Sequence, residues 1–150
     1  MQEELKKQHN EEMLNAIYKN SQMGINGIKN IIDSVEDGKL RHLLSKQQEK
    51  YVELSQSCSQ KALQNEIELK DVNIFLKGMS YTSIKMKSMM DNSTSHLADM
   101  LVQGTTMGIT DVLKKQGENP LANEDIMNLA TDLQRAEEEF VDSLKKFLVK

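Results

Sequence analysis

Leu14, Tyr18, Ser21, Ile25, Ile28, Ile32 and Val35 fall at alternating steps of four and three, and Ile17, Gly24 and Ile31 widen the stripe. That spacing predicts one broad apolar helix face over 14–35. At 1.5 Å per residue the helix is about 33 Å long. Glu36-Asp37-Gly38-Lys39 is a turn cluster that stops it, and so short a loop folds the next helix back antiparallel. Leu40, Leu44, Gln47, Tyr51, Leu54 and Cys58 continue the rhythm, with Leu43 and Ala62 at its margins. A second helix of similar length follows, with polar groups in its seam.

From about Asn65 to Asp91 the pattern deteriorates. Val72-Asn73-Ile74-Phe75-Leu76 is a short apolar run, Gly78 follows, and hydroxyls fill Ser80-Tyr81-Thr82-Ser83. This stretch is long enough to return along the whole bundle. Asn92-Ser93-Thr94-Ser95 then offers N-caps to a third helix carrying Leu97, Met100, Leu101, Gly104, Met107, Gly108 and Val112, which ends near Gln116-Gly117. After Pro120, Asn123 is placed to cap a fourth helix, with Glu124 and Asp125 in its first turn. Ile126, Leu129, Leu133, Ala136, Phe140, Leu144 and Phe147 form its seam.

Two local echoes organise these helices. Met23-Gly24-Ile25 recurs as Met107-Gly108-Ile109, and Glu49-Lys50-Tyr51-Val52-Glu53 recurs as Glu138-Glu139-Phe140-Val141-Asp142, in the same order. A helical hairpin used twice is the natural interpretation, and short, long, short connections describe a bundle with one crossover, as in ferritin-like folds. The expected architecture is therefore all-α: one domain over 1–150, an antiparallel four-helix bundle with hairpins over about 9–65 and 92–149 and a crossover over about 66–91. An up-down-up-down bundle competes, but would need the second helix to run on through Leu76.

Composition narrows the function classes. With 28% charged residues, 4% aromatics, no Trp, one Pro and ten Met, the chain has the profile of an aliphatic, Met-filled helical protein. A net charge of −4, with Arg41 and Arg135 the only arginines and lysines scattered, argues against a nucleic-acid surface. No apolar run approaches membrane-spanning length, and Met1 leads into Gln2-Glu3-Glu4 rather than a signal peptide, so a soluble, cytoplasmic protein is expected. The bias toward Lys, Asn and Ile over Arg suggests a bacterial source. Cys58, the single cysteine, sits at a core spacing and reads as a small buried filler.

Asn20-Ser21-Gln22 is similar to the Glu-Ser-Gln of rubrerythrin first helices, and Gly104-Thr105 falls where that family carries Gly-Glu. In this architecture and these few motifs, the chain resembles the ferritin and rubrerythrin superfamily. The resemblance implies a di-iron centre built from one Glu on each of two helices and a Glu-x-x-His on each of the other two. Its positions here are Asn20, Gln48 with Tyr51, Thr105, and Glu137 with Phe140, so only Glu137 keeps its type. No Glu-x-x-His occurs, and His9, His42 and His96 lie elsewhere. No metal, cofactor or catalytic residue is therefore expected.

Other groupings carry weaker chemistry. Met79, Met86, Met89, Met90, His96 and Met100 have soft-metal character, but Met is an adaptable core filler throughout this chain. Gln47, Gln48 and Tyr51 would form a hydrogen-bonded layer at the old metal level if buried together. Gly24, Gly27, Gly104 and Gly108 each cost about 1 kcal/mol in a helix relative to Ala. Gly24 and Gly108 are pseudo-symmetric, and close approach of the first and third helices is their expected role. The leading expectation is a ligand-degenerate bundle with a structural or protein-interaction role, homodimeric through exposed helix faces, its protein partner unidentified. Alternatives are metal-dependent oxidoreductase or storage chemistry on displaced ligands (Glu137, Glu49, His96) and a spore-coat-like assembly protein.

Overall fold

The computed structural model describes residues 1–70 and 93–149. Four helices account for nearly all of them: α1 (Gln2–Ile31), α2 (Gly38–Gln64), α3 (Thr94–Glu118) and α4 (Glu124–Lys145), with a 3-10 turn at Ile32–Ser34. No strand occurs among the described residues, and none of their helices is long and apolar enough to cross a membrane. The expected crossover lies almost wholly outside them. α1 packs most extensively on α2 and α3 on α4, while α1 also meets α3 and α4, and α2 meets α4. Met13, Leu14, Ile17, Ile28, Leu40, Leu44, Ile126, Leu133 and Leu144 are fully buried along these seams. Cys58 is buried too, and desolvation pushes its thiol up to about 12.

α1 begins about three turns earlier than the apolar stripe predicts. Its first residues are mostly exposed, so they leave no hydrophobic rhythm, while Glu3 and Glu4 favour the positive end of the helix dipole. The first inward residue is polar: Asn10 is buried, and its Oδ1 accepts from the Asn123 N–H at 2.7 Å. His9 Nδ1 accepts from the Leu121 N–H at 3.0 Å, and Asn123 Nδ2 donates to Asn65 Oδ1 at 3.3 Å. An ion pair between Lys61 and Asp125 at 3.1 Å flanks the same junction. The N-terminal part of α1 and the C-terminal end of α2 thus share one end of the molecule with the α3–α4 turn.

Local chemistry sets the other boundaries. Asp37 caps α2 by accepting from the Lys39 and Leu40 N–H groups at 2.9 and 3.0 Å. Beyond α2, Ile67 N–H bonds Ala62 O and Glu66 N–H bonds Leu63 O, with Glu66 at φ 54°, which is a Schellman stop without its usual glycine. α3 runs through Gly117 to Glu118 rather than ending at 116–117, because buried Asn119 closes it by donating from Nδ2 to Lys115 O at 2.8 Å. Asn123 does stand at the α4 N-cap position, but its side chain reaches Asn65 instead of capping.

Asn10→Ala should lower the unfolding free energy by about 1–3 kcal/mol, since it strands the partly buried Asn123 N–H. Urea titration followed by circular dichroism measures it; an unchanged midpoint would show that the junction does not depend on this bond.

Candidate functional site

At mid-height a single carboxylate joins three helices. Glu137 faces inward from α4 and is 1% exposed. Its Oε1 accepts from Asn20 Nδ2 of α1 at 2.9 Å, and its Oε2 accepts from the Tyr51 hydroxyl of α2 at 2.8 Å. Thr105 of α3 and Gln47 of α2, both buried, stand beside the same phenol, although Gln47 Nε2 itself makes no hydrogen bond of normal geometry. Four of the predicted positions, Asn20, Tyr51, Thr105 and Glu137, are therefore brought to one level. Phe140, one turn beyond Glu137, is buried and lines the same cavity.

Gln48 is not part of this group. It donates from Nε2 to the Ile25 carbonyl at 3.3 Å, while Gln22 donates to Ser55 Oγ at 2.6 Å, so both amides tie α1 to α2 outside the centre. A helix moves successive residues by 100°, and the inward one of the two glutamines is Gln47. The displaced ligand set does not assemble either: Glu49 is exposed, and no group of three or more His, Cys, Asp or Glu side chains gathers among the described residues. His96 is partly buried at the start of α3 with Nε2 unpartnered. Met79, Met86, Met89 and Met90 lie outside the described residues.

The glycines divide into two kinds. A Cβ on Gly24 would lie 2.5 Å from Tyr51 Cζ, and one on Gly108 would lie 2.9 Å from Asn20 Nδ2. Each therefore makes room for one of the two donors that hold Glu137. For Gly24 this corrects the expected role, since its close neighbour is Tyr51 of α2 and not the third helix. Gly27 and Gly104 would place a Cβ in open space, with nothing within 4 Å. They border a cavity of about 450 Å³ between α1 and α3 that reaches down to Tyr51, Glu137 and Phe140.

Electrostatics follow from burial. Glu137 makes no ion pair among the described residues, and desolvation raises its carboxyl from 4.5 to about 7, the Tyr51 and Asn20 hydrogen bonds pulling the other way. Tyr51 is pushed well above its ordinary value of 10, first by burial and then by the neighbouring Glu137 charge. Near neutrality the site therefore holds a carboxyl close to its midpoint beside a phenol that stays protonated.

Comparison of the chain with protein families, with curated proteins and with solved structures gives no match in any of the three.

Two consequences can be measured. Gly24→Ala should destabilise by about 1–3 kcal/mol by overpacking against Tyr51, whereas Gly104→Ala, which touches nothing, should stabilise by about 1 kcal/mol through helix propensity; thermal melts of the two variants should move in opposite directions. For pH, the native Glu137 holds its proton up to about 7 while the unfolded chain ionises near 4.5, so its contribution is complete below 4.5 and lost as pH rises to 7. Wild type should lose about 3 kcal/mol relative to Glu137→Gln across that window, read from denaturant titrations at each pH.

Proposed function

We propose that this chain is a ferritin-like bundle with a structural or protein-interaction role, in which a hydrogen-bonded carboxylate layer occupies the level of a di-iron centre. The register between helices supports the topology. Going up α1, Gln22 and Ile25 meet Ser55 and then Gln48, so the contacts descend α2 and the two run antiparallel. Asn10 and Asn20 meet Asn123 and Glu137, so the contacts ascend α4 and it runs with α1. An up-down-up-down bundle would oppose the first and fourth helices. The end of α2 and the α3–α4 turn share one end of the molecule, so α3 begins at the opposite end from where α2 stops, which fits a lengthwise crossover.

One observation carries the functional part: the single retained acid, Glu137, has both oxygens engaged by an amide and a phenol. Two metal ions at this level need several carboxylates and imidazoles. Asn20, Tyr51 and Thr105 offer neutral groups instead, and Phe140 offers none. A layer of this kind ties helices together without redox chemistry.

Elemental analysis of protein purified anaerobically from metal-replete cells should find iron, manganese and copper each far below one atom per chain. A stoichiometric metal that disappears in Glu137→Gln would overturn the proposal.

A further inference from the structure

The cavity between α1 and α3 is about 450 Å³, within the range of small-ligand sites. Its walls are apolar, drawn largely from Met23, Ile28, Met100, Leu101, Val112 and Phe140. Methionines on both facing helices give it a lining that adapts to shape. Gly27 and Gly104 keep it wide: a helical glycine costs about 1 kcal/mol relative to alanine, and here no neighbouring atom requires one.

The floor selects the polar end of an occupant. Asn20 and Tyr51 already direct donors onto Glu137, one to each oxygen. An ionised carboxylate has about four lone-pair directions, so about two remain. No cation among the described residues pairs with it, and a buried charge without a counter-charge is costly. An ammonium group would supply the missing charge and donate to the remaining lone pairs. A hydroxyl would add one neutral hydrogen bond, and an anionic head would be repelled. The rim adds no preference for an amine, since it carries Lys19, Lys114 and Lys115 against Asp111 and Glu118, with Lys115 paired to Glu118 at 3.6 Å.

We propose that this cavity is a binding site for a hydrophobic amine, its ammonium on the Glu137 carboxylate and its apolar body between the methionines of α1 and α3. The proposal goes beyond the scaffold role and stands on separate observations, namely the void, the two open glycines and a buried carboxylate that makes no ion pair among the described residues.

Isothermal titration of the full chain at pH 8 with octylamine, 1-octanol and octanoate tests it. Octylamine should bind saturably at one per chain, at least about tenfold tighter than 1-octanol, a difference of about 1.4 kcal/mol, and octanoate should not bind. Glu137→Gln should erase the preference for the amine over the alcohol. Gly104→Leu, which fills the cavity from an exposed position, should abolish amine binding while leaving the helical circular dichroism unchanged. The proposal is overturned if octylamine binds no tighter than 1-octanol, does not saturate, or binds Gly104→Leu as it binds wild type. Metal content is a separate readout, so failure of the amine site and failure of the metal-free reading are told apart.

Discussion

A carboxylate buried among four helices, with no ion pair among the described residues, restricts what every neighbouring position can hold. Glu137 is 1% exposed, and each of its oxygens accepts one hydrogen bond from a different helix. Removing either donor leaves a buried lone pair unsatisfied, at about 1–3 kcal/mol or more for a charged group. That penalty sets the facing residues on α1 and α2, and their bulk sets the next shell. The Tyr51 ring fits because Gly24 has no side chain, and the Asn20 amide fits because Gly108 has none. Two helix-weakening residues on two helices are thus explained by one acid on a third.

The same dependence ties the two helical pairs together. α1 packs chiefly on α2 and α3 chiefly on α4, and the Glu137 bonds run from α4 to both members of the first pair. Aliphatic and thioether side chains pack well in many registers, so a Met-rich core places few constraints on sliding. A satisfied polar layer does constrain it, because a slip of one turn separates every partner at once. The junction of His9, Asn10, Asn65 and Asn123 acts similarly at one end.

Much of the helical plan is legible in the sequence, because Leu14 to Val35 and Ile126 to Phe147 keep an unbroken helical period. Where polar residues do structural work, the period fails. Asn10 is buried yet hydrophilic, and the turns before it are exposed, so the first turns of α1 carry no apolar signal. Asn20, Tyr51, Thr105 and Glu137, singled out in the sequence by local motif echoes, meet at one level in the structure. Of Gln47 and Gln48, the apolar rhythm through Leu44, Gln47 and Tyr51 points to Gln47 and the family alignment to Gln48, and it is Gln47 that is buried. The partner of Gly24 is not legible, since a missing side chain says that something approaches and not which helix supplies it.

Gly27 and Gly104 make that last distinction physical. In sequence the Met-Gly-Ile echo sets Gly24 and Gly108 apart, but all four glycines sit at helical positions with the same intrinsic penalty. In space one pair is filled by Tyr51 and Asn20, while the other borders a void. Close packing recovers the lost helix propensity at the first pair through the hydrogen bonds it permits. Nothing in the described residues recovers it at the second, where the proposed amine would supply the contact. The void ends on a buried acid that makes no ion pair among the described residues, and its position makes the cavity and the carboxylate parts of a single site.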